Sequence, residues 1–208
     1  SFRAYAQMRS ALLSIHGCSF SGNDGGGVAL FYTYSVASEL MLGAVSIVGC
    51  NFTSNSASGS GGGVSIRYVL SSYFGTLMPV SIRGCYFANN SAVGDGGGVS
   101  LYYSLSERPP VRSSPVSIHG CHFTTNSATG SGGGVSIYYA LPSDSRVESS
   151  PVSIRGSYFT DNRAAGSGGG VYLGYDINQL QSLYSYIESS PVSIDDCHFT
   201  TNSASGNG

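Results

Sequence analysis

The sequence predicts an all-β fold, a single-stranded parallel β-helix (β-solenoid) with about one coil per repeat, and three observations predict it. Ser-Ile-x-Gly-Cys-x-Phe-x-x-Asn, or a close variant, opens at Ser14, Ser46, Ser81, Ser117, Ser153 and Ser193. Five of these six copies run on into Gly-Gly-Gly-Val. The segments beside these marks alternate apolar and polar residues with period two, and helical spacing is nowhere sustained. A fixed period of this kind denotes a stack of near-identical units, none of which buries its own apolar face. Residues 1–208 are therefore expected to form one continuous solenoid segment of about six repeats.

Each repeat opens on Val-Ser-Ile, whose alternation and β-branched residues read as a strand. Aligned on Ile15, Ile47, Ile82, Ile118, Ile154 and Ile194, the copies are spaced 32, 35, 36, 36 and 40 residues apart. Equivalent residues of successive coils then lie about 4.8 Å apart, the separation of neighbouring strands, and each sequence column becomes a ladder. The Ile column faces inward, as do Phe20, Phe52, Phe87, Phe123, Phe159 and Phe199. The Ser residues opening each copy form an outward column.

Next come turns. Asn23, Asn55, Asn90, Asn126, Asn162 and Asn202 lie three residues after each Phe, where stacked amides can hydrogen-bond along the ladder. Asn-Ser-Ala clusters and the Gly triplets read as punctuation, because turns need residues tolerant of unusual backbone angles. Gly-Val-Ser-Ile-x-Tyr is the second strand, with Val28, Val64, Val99, Val135 and Val171 inward. Tyr32, Tyr68, Tyr103, Tyr139 and Tyr175 follow four residues later, where the strand is expected to meet a loop, half buried with wet hydroxyls. From Val to the next Ile the distance is 19, 18, 19, 19 and 23 residues, so the late length variation sits in one loop on one face. Val-Ser-Ile recurs after Gly-Gly-Gly and after Ser-Pro, which would also suit two short coils per repeat; the halves share little else, and one larger coil is the preferred reading.

Cys18, Cys50, Cys85, Cys121 and Cys197 occupy one column, with Ser157 in the remaining copy. Adjacent coils bring their Cα atoms within disulfide range, so the column is either paired along the stack or a row of buried thiols acting as small hydrophobes. No Cys-x-x-Cys pair is present, and neither metal nor cofactor is expected.

Composition excludes several classes. Only 10% of residues are charged and the nine basic residues are all Arg, which provides no basic stripe for nucleic acid. A net charge of -2 sets up no overall steering field toward a membrane or polyanion, and no apolar run is long enough to span a bilayer. The acids share no column; the closest grouping is Asp195 and Asp196, with Arg155 one coil away, and a surface ion pair accounts for it. His119 and His122 flank Cys121 on what reads as one strand, and His198 shares the column of His122 with Tyr158 between them. These histidines read as solvated surface residues, and no catalytic constellation emerges.

Modification signals are clearer. Asn51-Phe52-Thr53 and Asn89-Asn90-Ser91 are N-glycosylation sequons, which makes Asn51 and Asn89 candidate acceptors if a eukaryote secretes the chain. Ser113, Ser114, Ser149, Ser150, Ser189 and Ser190 precede prolines in the variable loops and are candidate O-glycan acceptors.

Phe-x-x-Asn followed by Gly-Gly-Gly-Val-Ser-Ile resembles the polymorphic outer-membrane protein repeat, whose marks are Phe-x-x-Asn and Gly-Gly-Ala with a following aliphatic. The matching residues run from Phe20 to Asn202. The resemblance implies a right-handed parallel β-helix of the kind used in surface adhesins and autotransporter passengers, with similar repeats in extracellular proteins of protists and algae. Here the third small residue is Gly rather than Ala, and a Ser/Pro-bearing loop enlarges each unit. No catalytic residue is carried over.

The expected function is that of a non-catalytic structural protein, the rod of an extracellular filament, surface appendage or cell-coat layer. The chain opens and closes in mid-pattern, as a piece of a longer protein would. Expected partners are the chain itself or neighbouring repeats, head-to-tail and lateral, with glycans in addition. An adhesin-type module using loops such as 105–112 and 175–187 is the alternative. A pectate-lyase-like enzyme is less favoured because the acids are scattered, and an ice-binding face still less so because its ranks are Ser rather than Thr.

Overall fold

The computed structural model describes residues 12–34, 44–70, 75–76, 79–105, 111–112, 115–141, 146–148, 150–177, 186–188 and 190–207. Among these, every regular element is a strand. Strands Leu13–His16, Val45–Val48, Val80–Arg83, Val116–His119, Val152–Arg155 and Val192–Asp195 form a six-stranded parallel sheet, here the Ile sheet. A second six-stranded sheet, the Phe sheet, consists of Ser19–Ser21, Asn51–Thr53, Tyr86–Ala88, His122–Thr124, Tyr158–Thr160 and His198–Thr200. The five seven-residue strands Val28–Tyr34, Val64–Leu70, Val99–Leu105, Val135–Leu141 and Val171–Ile177 form the Tyr sheet. Each strand pairs only with its counterparts in the copies before and after, in register: Ile118 lies against Ile82 and Ile154, and Phe123 against Phe87 and Phe159. One repeat therefore makes one coil, and the arrangement is a parallel β-solenoid.

Two sheets differ from the sequence reading. The Ser-Ala pairs, read as turn, form two-residue strands in four copies, and with Arg163–Ala164 in a fifth they stack into one sheet from Ser56–Ala57 to Ser203–Ala204. Ala57, Ala92, Ala128 and Ala164 face inward and are buried, so this edge is a wall of the core. The variable insert also carries a short strand, at Gly75–Thr76, Val111–Arg112, Arg146–Glu148 and Tyr186–Glu188, paired in one four-stranded sheet. Insert length varies outside this strand, while strand register keeps successive coils aligned.

The core is built of like on like. Phe rings stack with centroids 4.8–4.9 Å apart and planes within 2–5° of parallel. Ile47, Ile82, Ile118 and Ile154 pack beside them, essentially without exposure. The Tyr column differs from expectation, because Tyr68, Tyr103 and Tyr139 are 1% exposed. They occupy the fifth position of strands that continue two residues further, so they sit inside the sheet rather than at its margin. Their rings stack at 4.7–5.0 Å. The Tyr103 hydroxyl is buried without a hydrogen-bond partner among the described residues, and burial raises its pKa well above the ordinary phenol value.

Steric necessity explains the Gly triplets. A Cβ on Gly98 would lie 2.6 Å from the Gly134 carbonyl oxygen of the next coil and 3.0 Å from the Phe123 ring. The third residue abuts backbone, which cannot move aside, and this accounts for Gly where the resembling repeat has Ala. Gly98→Ala is expected to destabilise the chain by about 1–3 kcal/mol, the usual range for overpacking. Urea unfolding that showed no loss would mean the coils are not this close.

Left-handed backbone recurs one residue before each ladder Asn: Ser54, Asn89, Thr125, Asp161 and Thr201 all have φ between 52° and 56°. Asn suits this conformation, whereas a β-branched residue is strained there. Thr125→Asn should therefore stabilise the fold by about 1 kcal/mol, read as a raised urea midpoint at unchanged slope. A lowered midpoint would contradict the assignment.

Candidate functional site

The ladders fixed by the repeat lie inside the coil. Asn55, Asn90, Asn126 and Asn162 are fully buried. Asn126 Nδ2 donates to Asn162 Oδ1 at 2.9 Å and to the Phe87 carbonyl at 2.9 Å, while its Oδ1 accepts from Asn90 N at 3.1 Å and Asn90 Nδ2 at 2.9 Å. Both donors and both lone pairs are used within the stack. A second polar ladder escaped the sequence reading. Ser60 Oγ accepts from Asp95 N at 3.1 Å, Asp95 Oδ1 from Ser131 N at 2.6 Å, and Ser131 Oγ from Ser167 N at 3.1 Å. Its signal in the sequence is the polar residue just before each Gly triplet.

The cysteines are free. Each inner sulfur serves the turn between the Ile and Phe sheets: Cys85 Sγ accepts from Cys50 N at 3.4 Å and donates to the Arg83 carbonyl at 3.3 Å. Ser157 repeats this role, its Oγ accepting from Cys121 N at 3.2 Å and donating to the Arg155 carbonyl at 3.1 Å. A hydroxyl can thus replace the thiol. Burial raises the Cys50 pKa. Cys85 and Cys121 titrate as one unit: the first thiol to ionise receives the other's S–H, and that shared bond with burial holds the second proton, on Cys121, far above the ordinary range. Labelling needs access to the sulfur as well as a thiolate, so a disulfide reagent at neutral pH should label exposed Cys18 fast, half-buried Cys197 more slowly, and buried Cys50, Cys85 and Cys121 only after denaturation, Cys85 being shielded by burial although its shared bond with Cys121 lowers its pKa to about 7. Rapid labelling of all five in the native chain would contradict the buried column.

Outside, two columns flank the corner where Gly84, Gly120 and Gly156 turn the chain at φ 57–61°. His16, Val48, Arg83, His119, Arg155 and Asp195 project from the Ile sheet. Asn51, Tyr86, His122, Tyr158 and His198 project from the Phe sheet. His119 and His122 are thus not on one strand, because left-handed Gly120 places them on different sheets. The His122, Tyr158 and His198 rings are stacked with centroids 4.8 Å apart, and Tyr86 tilts onto His122 at 6.3 Å. Arg155 Nε lies 3.5 Å from Asp196 Oδ2, with both side chains well exposed, as a surface ion pair. Asp196 stands at φ 52° in the corner position that other copies give to Gly, so it is a turn residue. Among the described residues no group of three or more His, Cys, Asp or Glu is gathered.

Both sequon asparagines are exposed, and Thr53 Oγ1 donates to Asn51 Oδ1 at 2.8 Å. Of the O-glycan candidates, Ser113, Ser114, Ser149 and Ser189 lie outside the described residues, as do 106–110 and 178–185 of the two variable loops. Ser150 is corrected. It is 0% exposed, so the folded chain has no room there for a sugar. Ser190 is half buried, and its Oγ accepts from Ser150 N at 3.1 Å. Pro151 and Pro191 lead directly into the Ile sheet, which draws Ser150 and Ser190 against the coil.

Residues 156–174 match the family model of the Chlamydia polymorphic membrane protein repeat. The stretch holds Phe159, Asn162 and Gly168 to Val171, the marks on which the resemblance rests, in the copy where Ser157 replaces Cys. Both this match and the parallel β-solenoid fit the resemblance to repeats of that type. No curated protein and no solved structure matches the chain. The matched family is a repeat of polymorphic membrane proteins, not an enzyme family, and the match covers one copy of this chain's repeat.

Proposed function

We propose that the chain is a non-catalytic rod segment of an extracellular filament, surface appendage or cell-coat layer. One observation carries this reading: the residues that recur along the chain, Ile, Phe and Asn in all six copies and the Gly triplet in five, meet the same residue type one coil away. What is repeated holds coil to coil, and apart from the opening Ser column what projects outward varies. The last described rung leaves Val192, Ile194 and Phe199 each 48% exposed and its strand edges open. Head-to-tail partners, the chain itself or neighbouring repeats, are proposed together with the rod. Exposed Asn51 and Asn89 would carry glycans on the Phe-sheet side. The adhesin reading retains one support, the concentration of length variation in a single insert.

Electron microscopy of native source material labelled with an antibody to this segment separates the readings. Label repeating along a fibre or within a surface lattice is the expected result. Label confined to isolated globular particles would overturn the rod.

A further inference from the structure

All four histidines of the chain stand in the two columns flanking the Gly corner, together with Arg83 and Arg155. The net charge of -2 conceals this concentration. In a parallel in-register stack, like charges close together weaken the pairing, so placing Arg83 and Arg155 in one column adds nothing to the fold. Among the described residues the nearby acids gather at one end of the strip: Asp195 follows Arg155 in its own column, Asp196 pairs with Arg155, and Asp161 occupies the turn beyond the Phe strand. Among the described residues Arg83 meets the Ser81 hydroxyl, at 3.0 Å, and no carboxylate. Between the columns the corner glycines leave space: a Cβ on Gly84 or Gly120 would meet nothing within 4 Å, and one on Gly156 would meet only the His119 ring, at 3.7–3.8 Å. The result is a shallow exposed strip running along the stack, with a cationic or imidazole group on each of the Arg83, His119 and Arg155 rungs.

We propose that this strip binds a linear acidic polysaccharide lying parallel to the solenoid axis. Anions repeated along a polymer match donors repeated at strand spacing, about 4.8 Å. Ring geometry sets the class of polymer. Tyr158 has both faces covered by His122 and His198, and Tyr86 tilts onto the far side of His122, so most of what this column offers outward is ring edges bearing nitrogen and hydroxyl groups. Bases of a single-stranded nucleic acid need free aromatic faces, whereas carboxylate and sulfate oxygens need edge donors and guanidinium groups. The inference does not depend on filament formation.

The test is retention of the chain on immobilised heparin (sulfated) and polygalacturonate (carboxylated) at low salt and pH 5.5, in the range where histidine takes up charge. Oligo-dT of equal charge is the control polymer. Variant Arg83→Ser/Arg155→Ser is compared with Arg67→Ser/Arg163→Ser, which alters net charge equally at exposed positions off the strip, and circular dichroism checks that both fold. We expect at least one polysaccharide to be held, roughly tenfold less tightly by the first variant and unchanged by the second; which one is held identifies the anion. The proposal is overturned by binding to neither, by equal losses in both variants, or by oligo-dT bound as tightly as the polysaccharide.

Discussion

Asn126→Asp should unfold the stack at neutral pH and partly spare it in acid. Asn126 is fully buried, and its Nδ2 supplies the Phe87 carbonyl and Asn162 Oδ1, each at 2.9 Å. A carboxylate would point oxygen at both acceptors and bring an unpaired charge into the core. Leaving a buried charge uncompensated costs about 3–5 kcal/mol. Desolvation and the facing oxygens raise the folded-state pKa of the new carboxyl above its unfolded value. The penalty is therefore absent below the unfolded pKa, about 3.9, and grows as pH rises toward the folded one. Urea titrations at pH 3 and pH 7 check this, and a variant as stable as the parent at pH 7 would show that the ladder is not dry.

Phe123→Ala is the second large effect. Its ring lies between Phe87 and Phe159, with centroids 4.8 and 4.9 Å away, and is 0% exposed. Removing it leaves a cavity walled by two rings and by the Gly98 backbone, which cannot close around it. A loss of about 3–5 kcal/mol follows. The same change at Phe199, which is 48% exposed and stacked on one side only, should cost less than half as much. Equal losses at the two positions would indicate that the Phe column is not a continuous stack.

These ladders were legible because in-register stacking writes each contact into the sequence as a column. Ile118, Phe123, Asn126 and Val135 meet their own kind, so the alignment of copies is nearly a contact map. Features that do not follow a column were harder to read. A Ser-Ala pair is too short to show period two, and the insert strand differs in sequence from Gly75–Thr76 to Tyr186–Glu188. Depth was misjudged at Tyr103 and Ser150, because burial there depends on how far a strand continues and how tightly the insert returns to the coil. Asp196 drew notice as an acid and is explained by its backbone. Of the surface, the column of His122 and His198 was visible, but its pairing with Arg83 and His119 across a corner was not, because left-handed Gly120 is what separates the two sheets.

The central claim is that one repeat is one coil, and excision tests it most directly. Deleting residues 82–117 joins Ser81 to Ile118 and removes 36 residues, one full rung, whereas deleting residues 82–99 removes half of one. The full-repeat deletion should fold, with β circular dichroism per residue unchanged and a cooperative thermal transition close to that of the parent. The half-repeat deletion should not fold, because it would set Phe-sheet residues against Tyr-sheet residues. A folded half-repeat deletion, or an unfolded full-repeat deletion, would contradict the one-coil repeat and the rod built upon it.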